Sequence, residues 1–245
     1  MITMPEIKRE IDSYVLLDPD SPLKNYTVDD VRYRLINNLL GTPINKMVFV
    51  LHHLLSTCGC EGDVCEFGVA QGRTSALLAY ELLTRNGQNK ILNLYDSFEG
   101  LPNPTEKDVL LKDVLLNDIF KLGSMEKYAG YMKSGEDEVM TELEHIGYPL
   151  PRYRIVKGFV DENTYIPDKV CFAYLDMDLY EPTKLILWAL HERMCEGGRI
   201  VIDDYGFFSS GVKLAVDEFY QDVFDCDNVD YKLEVRHAQA SLERL

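Results

Sequence analysis

The chain has 245 residues, 46% of them hydrophobic and 11% aromatic, enough for one domain with a sizeable core and too apolar for general disorder. Lys and Arg number 25 against 41 Asp and Glu, a formal charge of −16. That balance argues against a nucleic-acid backbone or an anionic membrane surface as partner, since both call for basic clusters. No apolar run approaches the roughly 20 residues of a membrane span, and the polar N-terminal stretch lacks the apolar core of a signal peptide. A soluble cytoplasmic protein is expected.

Taken in order, residues 1–26 read as irregular and polar. Thr27-Val-Asp-Asp30 reads as a helix start, with Val28, Val31, Leu35 and Leu39 on one stripe and Gly41 after it. A second apolar helix follows Pro43. Residues 27–57 thus form a helical layer, and 1–60 an N-terminal helical extension to a domain spanning 61–245. Cys58-Gly-Cys60 with His52 and His53 upstream fits no zinc spacing. The six cysteines read as reduced thiols, most of them in or beside apolar runs.

From Gly62 strands and helices alternate. Strands are expected at 64–69, 91–95, 153–158, 170–176 and 198–203, with helices at 72–85, 182–195 and 211–224. Two short strands near 230–237 and 240–245 close the sheet. The pattern predicts an α/β fold with an open, mainly parallel sheet of seven strands. Residues 101–151 interrupt the alternation. They carry a charged helical stretch near 107–121 and a helix near 136–146, and read as a lid insertion over a substrate.

In such sheets ligands bind at the carboxyl ends of the strands. The first βα turn reads Glu66-Phe-Gly68-Val-Ala-Gln-Gly72-Arg-Thr74-Ser75. Gly68 allows close backbone approach, Gly72 opens a helix whose N–H groups, with Thr74 and Ser75, suit a carboxylate, and Glu66 suits an ammonium group. An ordinary βα turn would look the same. Asp96, with Ser97 beside it, ends the second strand where an acid accepts ribose hydroxyls, or caps the next turn of the chain. Together these cofactor-binding candidates favour a nucleoside with an amino-acid tail, S-adenosylmethionine rather than NAD, because the dinucleotide glycine spacing is absent.

Two neighbouring strands end in acids: Tyr174-Leu-Asp176-Met-Asp178 and Ile202-Asp203-Asp204. So many carboxylates in one cleft cannot stay ionised together without a cation, which points to a hard divalent ion such as Mg²⁺. Asp178, Asp203 and Asp204 are the metal candidates, and Asp178 is also a candidate base. Asp176 is open between the ion and the cofactor. His191 reads as structural. His145 is a weak candidate for the cleft, and Asp217-Glu218 reads as solvated.

These segments, with Asp96-Ser-Phe-Glu-Gly-Leu-Pro102, Asp176-Met-Asp-Leu-Tyr-Glu-Pro-Thr183, Gly197-Gly-Arg-Ile-Val-Ile-Asp-Asp-Tyr205 and Ala215-Val-Asp-Glu-Phe219, resemble the macrocin O-methyltransferase family in order from about residue 62 to 220. The resemblance implies a Rossmann-like class I methyltransferase fold and S-adenosylmethionine- and Mg²⁺-dependent methylation of a sugar hydroxyl. The acceptor would be an antibiotic sugar, a nucleotide-activated sugar or a surface glycan precursor. It also implies metal ligation by Asp178, Asp203 and Asp204, Asp178 as base, Asp96 on the ribose, and a homo-oligomer. Residues 103–133 and the N-terminal region do not match the family closely. A catechol-type methyltransferase and a non-catalytic nucleotide-binding protein of glycan assembly are the competing readings.

Overall fold

The seven expected strands all form, and the five parallel ones align their carboxyl ends along one edge. The structure, a computed structural model, describes residues 1–85, 89–115, 121–226 and 230–245. The strands are β1 (Asp63–Phe67), β2 (Leu92–Asp96), β3 (Tyr153–Lys157), β4 (Val170–Leu175), β5 (Met194–Ile202), β6 (Tyr231–Arg236) and β7 (Gln239–Arg244). Their order is β3-β2-β1-β4-β5-β7-β6. The first five pair in parallel, β7 runs antiparallel to β5, and β6 antiparallel to β7. Sheet order reverses between β1 and β4, so the crevice beyond those two strands is where a ligand is expected.

Side chains alternate across the sheet as strand pleating requires. Val64, Phe172, Tyr174 and Val201 point to one core, shared with helices α1 (Met4–Leu17), α2 (Asp30–Asn38), α3 (Ile44–Ser56), α4 (Arg73–Thr84) and α5 (Glu136–His145). Cys65, Phe67, Ala173, Leu175, Ile200 and Ile202 point to the other, covered by α6 (Tyr180–His191) and α7 (Ser210–Cys226). All six residues of β4 are buried, as a central strand covered on both faces must be.

Four expectations are corrected. Residues 1–26 are not irregular. Thr3 and Glu6 form a capping box, Pro5 sits in the first turn, and Ile7, Ile11 and Tyr14 bury one stripe of α1. Tyr14 stacks at a tilt on His52, while Leu16 and Leu17 stay exposed. The cap of α2 is Asp29, whose carboxylate accepts from Arg32 N, rather than Thr27. The helix expected to reach residue 195 stops at His191, and Met194 already pairs with Val170. Met194 and Cys195 continue the apolar pattern, so periodicity alone runs past the break. The fourth correction concerns the insertion.

Over the described part of 107–121 the chain is not helical; 116–120 lie outside the described residues. Instead it runs as a strap along the loop after β5. Leu110 bridges Ser209, and Leu111 N donates to Phe208 O at 2.9 Å. Met125, Tyr128, Leu179 and Phe208 form a small separate core beneath it. The helix at 136–145 is the crossover between β2 and β3, seated so close to α4 that a Cβ on Gly72 would lie 2.8 Å from Val139 Cα. It belongs to the helical layer rather than to an insertion over the sheet.

Candidate active site

Strands β1, β4 and β5 end level with one another. Asp176 N donates to Phe67 O and Asp203 N to Leu175 O, both at 2.8 Å. The acids at their ends therefore converge, as the sequence predicts. Asp178, Asp203 and Asp204 are 7%, 5% and 8% exposed, and Asp176 is half-buried. Asp178 and Asp204 both adopt positive φ, +63° and +52°, a region that non-glycine residues seldom occupy. Backbone strain in two successive acid loops is a common mark of a functional site.

The electrostatics are lopsided. Burial, then the charges of Asp204 and Asp203, hold the Asp178 carboxyl well above the usual carboxylate range. Burial, then Asp203 and Asp178, do the same to Asp176. Asp204 is raised by burial and Asp203, with Lys46 opposing. Against four acids stands one ammonium that the sequence reading missed. Lys46, from the first turn of α3, lies 2.7 Å from Asp203 Oδ1 and 2.7 Å from Asp204 Oδ1. A lysine beside the apolar run Met47-Val-Phe-Val-Leu51 was the available signal.

Asp203 is heavily committed. Its Oδ1 also accepts from Asp204 N at 2.9 Å, and its Oδ2 accepts from the Tyr174 hydroxyl at 3.1 Å. Among the described residues, no three acidic, His or Cys side chains stand together in a metal-holding arrangement. The donors nevertheless suit a hard divalent ion in kind. They are carboxylate oxygens on two adjacent loops, whose pKa values are raised by burial and by one another's charge, with Lys46 opposing.

On the cofactor side, Glu66 is fully buried in β1, and among the described residues neither carboxylate oxygen has a hydrogen-bond partner. Burial pushes it up to about 8; nearby Ser75, whose own hydroxyl has no hydrogen-bond partner, lowers it and Asp96 raises it. An unpaired buried carboxyl is costly, and a site that receives an ammonium group explains its retention.

The glycines and Asp96 serve the protein's own backbone. A Cβ on Gly68 would sit 1.8 Å from Asp176 O, so this glycine lets the β1 turn pass against the acid loop. Gly72, at φ +77°, caps α4 where α5 crosses. Asp96 accepts from Val69 N and Ala70 N through Oδ2, at 2.9 and 2.8 Å, and from Phe98 N through Oδ1 at 2.7 Å. It fastens the β1 and β2 loops to each other, with lone-pair capacity left on Oδ1. Ser97 Oγ donates to Gly100 O at 3.0 Å and closes a local turn. Thr74 lies half-buried in the first turn of α4.

Further residues take definite places. His191 packs against Trp188 and Phe219 with Nδ1 3.2 Å from the Tyr231 hydroxyl, a structural role as expected. His145 is the exposed last residue of α5 and does not join the cluster. Asp217 and Glu218 are more than solvated. Tyr205 donates to Asp217, and Tyr180 and Lys184 donate to Glu218, which Lys184 and Tyr180 hold down at about 2. The sequence reading also missed Asp108, buried in the strap. It accepts from Tyr180 N at 2.8 Å, which opens α6 just after Asp178, and from Ser209 Oγ at 3.0 Å. One strap carboxylate thus braces both acid loops.

Comparison with known proteins places this arrangement. The family described as Macrocin-O-methyltransferase (TylF) matches residues 46–230. An 8-demethyl-8-(2,3-dimethoxy-alpha-L-rhamnosyl)-tetracenomycin-C 4'-O-methyltransferase of Streptomyces olivaceus is 26% identical over 204 residues, 78% of this chain and 75% of that protein. A demethyldecarbamoylnovobiocin O-methyltransferase of Streptomyces niveus is 28% identical over 160 residues, 64% of this chain and 58% of its own length. The solved structure of the O-methyltransferase NovP superposes with a TM-score of 0.66 at 20% identity, covering 97% of each chain, and shares the class I methyltransferase fold.

Proposed function

The chain belongs to the macrocin O-methyltransferase family, and we propose that this O-methyltransferase moves a methyl group from S-adenosylmethionine to a sugar hydroxyl with the help of Mg²⁺. The observation that carries the reading is the pairing of two unsatisfied features at the switch point. One is a buried acid cluster at the ends of β4 and β5. The other is a buried, unpartnered Glu66 at the end of β1. The rhamnosyl acceptor in the name of the S. olivaceus relative supports a sugar as substrate.

The reaction breaks a sulfur–carbon bond and forms an oxygen–carbon bond, and the chain's task is to hold donor and acceptor in line. Glu66 would receive the ammonium group of the donor, which would give its buried carboxyl a charge partner. Asp96 holds the β1 and β2 loops in register and offers its remaining Oδ1 capacity to the ribose. Asp178, Asp203 and Asp204 would hold the ion, whose positive charge makes a nearby hydroxyl more acidic. Asp178 would accept the hydroxyl proton at a carboxylate oxygen. The described residues of the strap would cover the cleft and shape the acceptor pocket.

Purified protein with labelled S-adenosylmethionine and Mg²⁺ should label nucleotide-linked or free sugars. Label in catechols alone, or in no sugar, would overturn the reading. Asp178→Asn should lose turnover at least a hundredfold, on the order of a missing general base, while donor binding by calorimetry survives.

A further inference from the structure

The acid cluster already contains a cation of its own. Lys46 is 6% exposed, although its ammonium is an ionised group in a helix whose next five residues are apolar and buried. It reaches Asp203 Oδ1 and Asp204 Oδ1 at 2.7 Å each, and its ammonium lies 5.1 Å from the centre of the Phe207 ring. Asp203 and Asp204 are adjacent in sequence, Asp204 adopts a φ of +52°, and one oxygen of each meets the same point. The ammonium fills that point.

We propose that Lys46 is the resident counter-ion of the cluster, competing with a divalent cation for the Asp203 and Asp204 oxygens and so setting the metal affinity of the site. This rests on the metal reading given above. With the ammonium in place the acids are held close together in the absence of an ion, which mutual repulsion would otherwise oppose. An arriving ion and the ammonium would draw on the same two carboxylate oxygens and repel each other, which opposes metal uptake while Lys46 is in contact. The flexible four-carbon stem lets Lys46 draw back. Because Lys46 belongs to α3, the seating of the N-terminal helices is linked to metal uptake.

The test is Mn²⁺ binding, followed by calorimetry and by the spin-resonance signal of the free ion, on the full chain without donor or acceptor. Lys46→Met keeps the apolar stem and removes the charge. It should bind Mn²⁺ at least about tenfold more tightly than the wild type, a conservative figure for removing one buried like charge. Lys46→Arg should stay within about threefold of the wild type, since it keeps the charge. Affinity in a folded Lys46→Met protein that equals or falls below wild type overturns the inference while leaving the metal reading intact. Mn²⁺ binding by neither protein overturns the metal reading itself, and this inference with it. If Lys46→Met does not fold, Lys46→Gln carries the same expectation and the same refuting result.

Discussion

Replacing Glu66 by Gln exchanges an unpartnered buried carboxyl for a neutral amide of nearly the same shape. In the folded protein burial pushes this carboxyl up to about 8, with Ser75 and Asp96 as smaller opposing influences, whereas an unfolded chain holds it near 4.5. The sign comes from proton binding. Between these values the unfolded chain has released the proton and the native one retains it, so stability falls as pH rises through the window. Below about 4.5 the native state carries no penalty. Above about 8 it carries all of it. Roughly 3.5 pH units at about 1.4 kcal/mol each come to about 5 kcal/mol, and to about 3 kcal/mol at pH 7. Urea unfolding of donor-free protein from pH 5 to 8.5 measures this directly. The wild type should lose stability relative to Glu66→Gln across that range, by roughly 3–5 kcal/mol in total. The same variant should bind S-adenosylmethionine at least about tenfold more weakly, because the ammonium loses the carboxylate proposed to receive it. Parallel stability profiles for the two proteins would refute the reasoning, and unchanged donor affinity would remove Glu66 from the donor site.

Other contacts give outcomes of the same kind. Gly68→Ala would push a methyl to within 1.8 Å of the Asp176 carbonyl, and should cost roughly 3 kcal/mol or prevent folding, read by urea unfolding. Asp96→Ala strips the acceptors from Val69 N, Ala70 N and Phe98 N. It should cost about 2–3 kcal/mol, with faster amide exchange confined to the β1 and β2 loops. Asp108→Ala frees the Tyr180 and Ser209 donors. Exchange at 105–111 and 208–210 should rise while that of β4 stays protected, and turnover should fall more than donor affinity. Equal protection in the variant would show that the strap is held by its apolar contacts instead.

The central strand framework was legible because β1 runs into Gly68 and the apolar stretches of β2, β4 and β5 are closed by acids, and the acid pairs at 176–178 and 203–204 break that apolarity where a buried strand would not. What pairs with those acids was not legible. Lys46 lies more than 150 positions away in sequence, on a helix whose stripe reads only as core. Gly68 was readable as a point of close backbone approach and Gly72 as the opening of a helix, but not which neighbours crowd them. Gly68 makes room for Asp176 O and Gly72 for Val139, contacts set by tertiary packing. Asp108 sits in a stretch of charged residues that suggests a solvated helix, and only the folded chain brings it to Tyr180 and Ser209. Helix α1 is a different case. Thr3, Pro5 and Glu6 spell its start, and Ile7, Ile11 and Tyr14 its buried stripe, so its signal was local and complete.

The measurement that bears most directly on the account is methyl transfer to a nucleotide-linked sugar by protein stripped of metal with a chelator, with Mg²⁺ then titrated back. Stripped wild type should be inactive and should recover turnover with Mg²⁺, while Asp178→Asn and Asp204→Asn should not recover at the same concentrations. Undiminished transfer by the stripped wild type, or full recovery in both variants, would contradict the role assigned to the acid cluster.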